Sequence, residues 1–94
     1  MKALQFDVGA WSVRTFGPQR NRLEMIQRKL REEISEFNTA EFEGTEAEEL
    51  ADITILCMTY AYRRGIDLGQ AIRDKHRVNK GRKWKRKGGA FKHV

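Results

Sequence analysis

The sequence predicts an all-α protein, a small antiparallel bundle of three to four helices. Three observations carry that expectation. Leu23, Ile26, Leu30, Ile34 and Phe37 step by 3, 4, 4 and 3, which draws one apolar stripe along a helix. The composition is 39% apolar and 34% charged with a single proline, which suits helices and argues against a long disordered chain. The periodic runs are joined by short connections, as in helices that fold back on their neighbours.

A first helix is expected over residues 3–15, with Leu4, Phe6, Val8 and Trp11 as its apolar contributors and Gly9 as a weak point. "FGP" at 16–18 breaks it, because glycine and proline both disfavour continuation. A second helix, 19–38, carries the apolar stripe, and "NTAEFEGT" ends it. Thr45 can cap a third helix, 46–64, with Glu48 three residues on to close a capping box. Its stretch "ITILCMTYAY", 53–62, is apolar nearly all round, so it should lie centrally or in an interface. Gly65 stops it. Asp67 can cap a fourth helix over about 68–80, which Gly81 ends. The last segment, "KWKRKGGAFKHV", reads as a loose basic tail.

Ninety-four residues make one domain. We divide it into the bundle, 1–84, and the tail, 85–94. A chain this short buries a modest core, so self-association is expected. The single cysteine, Cys57, excludes an intrachain disulfide framework and a cysteine-rich zinc site. It reads as a small core residue in a reducing compartment. The opening "MKALQFDVGAW" holds no long apolar segment, and cytoplasmic placement is the expectation.

The net charge is +6, yet the charges are segregated. Residues 73–94 hold ten of the nineteen Lys and Arg, while the acids lie mostly between 24 and 52. That asymmetry points to a polyanionic partner, either nucleic acid or nucleotide phosphates bound through a metal.

The acids form two clusters, "EEISE" at 32–36 and "EELAD" at 48–52. Glu33 lies roughly 60° from the centre of its helix's stripe, and Glu36 about a further 60° round. They are i, i+3 neighbours at the edge of the buried face, and Glu32 points further toward solvent. Glu49 and Asp52 repeat the i, i+3 spacing. If the two helices pack antiparallel through their stripes, four carboxylates converge at the seam. Such a set repels itself unless a cation or a proton is present. All-oxygen ligands suit Mg²⁺, with Mn²⁺ as an alternative, rather than zinc or copper. The plainer reading is solvated acids with i, i+4 partners such as Arg28–Glu32 and Lys29–Glu33. It explains one Glu better than a paired E-E-x-x-E and E-x-x-D. A di-iron bundle would need Glu-x-x-His, and neither His76 nor His93 is so placed.

"DKHRVNKGRKW" carries the complementary charge. Lys75, Asn79 and Arg82 share a face if the fourth helix runs through Gly81, with Leu68 and Ile72 extending that stripe. Arg offers phosphate a bidentate fork and Lys a point charge, and Trp84 just beyond could stack on a base. The plainer reading is a solvated basic helix end favoured by its macrodipole. Carboxylates holding a metal, with cations taking the remaining phosphate charge, equip a site for attack by water on phosphorus.

With these motifs the chain resembles the MazG-like all-α nucleoside triphosphate pyrophosphohydrolases. The matching residues are Glu32, Glu33, Glu36, Glu49 and Asp52, followed by the K-x-x-x-N-x-x-R-x-W element of Lys75, Asn79, Arg82 and Trp84. "WSVRTFGP" and "KLREE" are similar to a small bacterial and phage branch, the dATP/dGTP pyrophosphohydrolases. The resemblance spans residues 11–84. It implies Mg²⁺-dependent conversion of a (d)NTP and water to the monophosphate and pyrophosphate, through attack at the α-phosphorus. It implies Glu33, Glu36, Glu49 and Asp52 as metal ligands. Glu32 and Glu33 are then expected at the chemistry, Glu32 as a further ligand or as the base that orients water. Lys75, Asn79, Arg82 and Trp84 become substrate-binding residues, and a homodimer or homotetramer is expected. Trp11, Phe16, Tyr60 and Trp84 are the aromatic candidates for reading the base. A helical nucleic-acid-binding or interaction module acting through the basic tail is the alternative, with binding that weakens steeply with salt.

Overall fold

The computed structural model describes residues 1–18, 22–87 and 90–93. The chain forms α1 (Lys2–Phe16), α2 (Arg22–Glu43), α3 (Glu46–Arg64) and α4 (Leu68–Gly81), then strands β1 (Trp84–Lys87) and β2 (Ala90–His93). The helical bundle matches the expected fold class. Residues 19–21, given to the second helix from sequence, lie outside the described residues.

α3 is the central element, packed against α2 on one side and α1 on the other, while α4 packs on α1. Its nearly all-round apolar character is what lets it serve two neighbours. Its C-terminus is a Schellman ending: Gly65 sits at φ 67°, the Gly65 N–H donates to the Tyr62 carbonyl, and the Ile66 N–H donates to that of Ala61. α2 runs five residues past the expected stop at 38, because Asn38 and Thr39 are weak helix formers rather than breakers. The chain first needs left-handed backbone at Gly44, φ 72°, where the Thr45 N–H closes onto the Ala40 carbonyl. Thr45 occupies the N-cap of α3 but makes no side-chain cap bond, so the expected capping box does not form. Asp67 does cap α4, accepting from the Gln70 N–H at 3.1 Å.

α1 packs differently from expectation. Leu4, Phe6 and Trp11 are exposed, and the buried residues are Gln5, Gly9 and Ser12. Gly9 is the close-approach point: a Cβ there would clash with the Cβ and Cγ of Tyr62. Gln5 ties α1 to the turn before α4, donating to the Ile66 carbonyl at 2.6 Å and accepting from the Leu68 N–H at 3.0 Å. Arg63 holds the far end of α1, donating to the carbonyls of Gly17 at 2.7 Å and Ser12 at 3.2 Å, and to Ser12 Oγ at 3.1 Å.

Within the segment read as a loose tail, the described residues form two strands; residues 88, 89 and 94 lie outside the described residues. β1 and β2 pair antiparallel, with Trp84 opposite His93 and Lys87 opposite Ala90. The intervening sequence Gly-Gly is a favoured two-residue hairpin connection, a local signal that a reading by composition passes over.

Among the described residues the buried apolar set is only Ile26, Ala40, Met58 and Ala61, and twelve large apolar side chains are exposed. The radius of gyration is 15.6 Å, above the roughly 13 Å of a compact 100-residue domain. Among the described residues, no helix is long and apolar enough to cross a membrane.

Candidate functional site

The antiparallel α2–α3 pair builds the site. The buried face of α2 is not centred on Ile34, which is 48% exposed. It runs through Ile26, Leu30, Glu33, Phe37 and Ala40, stepping by 4, 3, 4 and 3. Glu33 therefore takes a core position, with its side chain only 7% exposed. Opposite it, the half-buried Glu49 comes from the first turn of α3. Oxygens of Glu33, Glu36 and Glu49 all lie within 4.8 Å of one another.

The electrostatics follow from this crowding. Lys29, one turn before Glu33, donates to its Oε1 at 3.1 Å and also reaches Glu32 Oε2 at 3.5 Å. That hydrogen bond is the main reason the Glu33 carboxyl is held below its ordinary value, against the opposing effect of burial. Glu33 in turn raises the Lys29 ammonium. Among the described residues no cation pairs with Glu49. The adjacent Glu33 oxygen comes first, then burial, then the charges of Glu33, Glu36 and Asp52, and together they push its carboxyl up to about 7. Oε2 of Glu33 and Oε2 of Glu49 are both buried and have no hydrogen-bond partner among the described residues. Buried polar atoms are normally satisfied, and a proton or a cation between these two would satisfy both.

The structure thus brings together three of the five acids singled out from sequence. Asp52 stands close enough to act on Glu49 but its oxygens are outside the trio. Glu32 is exposed and paired with Lys29. The cationic stripe lies elsewhere. Lys75 is exposed, Asn79 and Arg82 are half-buried, and α4 packs on α1 rather than on the carboxylate seam. Ile72, expected to pack, is 49% exposed. Among the described residues no ion pair joins Lys75 or Arg82 to the acids. The side chain of Trp84 lies outside the described set, although its backbone opens β1.

Two residues matter more than the sequence reading allowed. Lys29 was read only as a solvated pair partner, and its i, i+4 spacing to Glu33 was the available signal. Arg63 was not singled out, and no local pattern marks it. It lines a cavity of about 630 Å³ with Trp11, Phe16, Met25, Lys29 and Leu56. Trp11 and Phe16 meet there edge to face at 5.6 Å. Tyr60 lines a second cavity, about 400 Å³, and accepts from Gln27 Nε2 at 3.4 Å.

Comparison with known proteins gives four findings. The family model described as dATP/dGTP pyrophosphohydrolase matches residues 4–94. A dATP/dGTP diphosphohydrolase of Salmonella phage PMBT28 is 38% identical over 88 residues, 93% of this chain, which spans 29% of that relative's length. One of Cyanophage S-2L is 35% identical over 92 residues, covering 97% of this chain and 85% of that one. Among solved structures, the Cyanophage S-2L MazG-like pyrophosphohydrolase bound to dGDP and three catalytic Mn²⁺ ions per active site superposes with a TM-score of 0.79 at 34% identity, over 98% of this chain and 94% of the other.

Proposed function

The chain belongs to the dATP/dGTP pyrophosphohydrolase family, and from that premise we propose that it hydrolyses purine deoxynucleoside triphosphates to the monophosphate and pyrophosphate with Mg²⁺ or Mn²⁺. The observation that carries the reading is the carboxylate cluster, with two buried oxygens that have no hydrogen-bond partner among the described residues. The donor set is all oxygen and suits these hard divalent cations. Glu33, Glu36 and Glu49 would hold the metal, with Asp52 as the outer ligand. When bound, the metal neutralises phosphate oxygens and makes water a better nucleophile. The solved cyanophage relative, which holds dGDP and Mn²⁺, supports this assignment.

The protein's own part is positioning and proton handling. Glu32, exposed and paired with Lys29, would orient a water for attack on the α-phosphorus, with the bond to the bridging oxygen breaking and pyrophosphate leaving. Lys75, Asn79 and Arg82 would take the departing phosphates, and Trp84 belongs with them. Since α4 packs on α1 and not on the seam, we assign that role to a second copy of the chain in a homodimer or homotetramer. The exposed Leu50, Ile55 and Ile72 and the thin core favour such an assembly.

Pyrophosphate release from a panel of NTPs and dNTPs, with Mg²⁺, Mn²⁺ and EDTA, tests the reading. Metal-dependent release with the matching monophosphate is expected, lost in Glu36→Gln and Asp52→Asn while the helical signal stays. Full turnover in both variants would sink it. The basic end of the chain favours a second reading, nucleic-acid binding, because residues 73–94 hold ten of the nineteen Lys and Arg. Binding to single-stranded DNA that falls steeply with salt is its signature.

A further inference from the structure

We infer that Lys29 is a positioning residue for the proposed reaction: its ammonium holds one oxygen of Glu33, leaves the other for a divalent cation, and tethers Glu32 to the same point. The inference rests on the metal-dependent reading above and deepens it. Lys29 Nζ lies 3.1 Å from Glu33 Oε1 and 3.5 Å from Glu32 Oε2. The two acids are neighbours in sequence with different surroundings, the Glu33 side chain being 7% exposed and that of Glu32 57%. An ammonium offers three donors around one nitrogen and accepts nothing. One lysine can therefore serve a buried metal ligand and an exposed carboxylate at once.

Three observations separate this contact from an ordinary ion pair on a helix surface. The order is the wrong one for helix stability: Glu four residues before Lys stabilises a helix better than the reverse, and here Lys29 comes first. The burial is one-sided. Exposed pairs contribute little, whereas Glu33 is a core residue on the face that α2 turns to α3, so loss of its partner leaves a buried carboxylate uncompensated. The oxygens of Glu33 are also divided. Oε1 accepts from Lys29, while Oε2 is buried and has no hydrogen-bond partner among the described residues, as is true of Oε2 of Glu49. Glu33, Glu36 and Glu49 each offer one oxygen to a group no wider than 4.8 Å. Rotation of the Glu33 carboxylate would exchange its two oxygens, and the Lys29 bond opposes that rotation. Glu33 is thereby limited to one oxygen for the cation. Carboxylate ligands are commonly oriented by hydrogen-bond partners of this kind.

The experiment titrates the full chain with Mn²⁺ alone and reads the unbound ion by electron paramagnetic resonance. The samples are the wild type, Lys29→Met, Lys29→Gln, Lys29→Arg and, as control, Arg77→Met, which breaks an exposed pair with Asp74 on α4. Lys29→Met should weaken Mn²⁺ binding by about 10–100-fold. Lys29→Arg should recover most of that, because a guanidinium can still donate to both acids, and the control should bind as the wild type does. Lys29→Gln keeps a neutral donor, so it should fall between Met and Arg, and it replaces the Met variant should that chain fail to fold. At saturating Mn²⁺, Lys29→Met should lower kcat for a dNTP by about tenfold or more through the loosened Glu32, with KM little changed. Undiminished or tighter Mn²⁺ binding by Lys29→Met would overturn the inference, since the lysine would then act as a competing charge. So would an Arg variant no better than Met, or an equal loss in the control. An unchanged kcat would overturn it too, and a raised KM alongside would place the ammonium on the substrate's phosphates instead. Pyrophosphate release by the wild type with Mn²⁺ affinity indifferent to Lys29 sinks the positioning role alone. Mn²⁺ binding that depends on Lys29, with no release from any triphosphate, sinks the proposed reaction alone. No Mn²⁺ bound by the wild type sinks both.

Discussion

Glu33 and Glu49 show how the same residue type takes opposite charge states a few ångströms apart. Glu33 keeps its charge through Lys29; Glu49, facing Glu33, holds its proton up to about pH 7. A carboxyl raised in the folded state stabilises the fold below the ordinary carboxylate range, and that contribution is lost as pH rises through about 7. Metal-free protein should therefore melt at a higher temperature at pH 6 than at pH 8. Metal affinity should run the other way, weakening by up to about tenfold per pH unit on acidification because the cation must displace that proton. Calorimetry at the two pH values checks both signs. Glu49→Gln removes the repulsion, so it should raise the metal-free melting temperature while cutting metal affinity by at least about 10–100-fold. The acids were legible as a cluster because their i, i+3 spacing survives any rotation of the helices. Their exact burial was not, since placing Ile34 rather than Glu33 on the inner face satisfies the apolar pattern equally well.

Element by element, glycines and caps set the architecture. Gly9 was read as a weakness in α1, yet it is where α1 meets α3, with Tyr62 in the space a side chain would fill. Gly9→Ala should destabilise by about 1–3 kcal/mol through overpacking, although alanine is the better helix former. Asp67→Ala should cost about 1 kcal/mol through loss of the α4 cap. Thermal denaturation measures both. Helix ends at Gly65 and Asp67 were legible because capping is local chemistry. The inner face of α1 was not, because Gln5, Gly9 and Ser12 are chosen for size and hydrogen bonding, which a search for apolar periodicity ranks last. The strand pairing of 84–87 with 90–93 was missed for the converse reason: the composition of that segment says tail.

At the scale of the whole molecule, three features go together. Among the described residues the buried apolar set is small, the radius is large for the length, and the cationic stripe of α4 does not meet the acids. Sedimentation should find a dimer or larger species at micromolar concentration. Mixing two inactive variants, Glu36→Gln and Arg82→Ala, should restore activity if each site draws on two chains; mixed samples that stay inactive would confine the site to one. Sequence length alone raised the expectation of self-association, but which face is covered depends on how the helices rotate, and no spacing encodes that. The thin core has a consequence for dosage. If folding and assembly are a single event, the amount of working protein rises faster than the amount of chain made, because stability then grows with protomer concentration. Sparse synthesis would yield chains that stay inert and open to proteolysis. Abundant synthesis would cross a threshold above which catalysis appears abruptly, so output would be gated by copy number without any dedicated regulator.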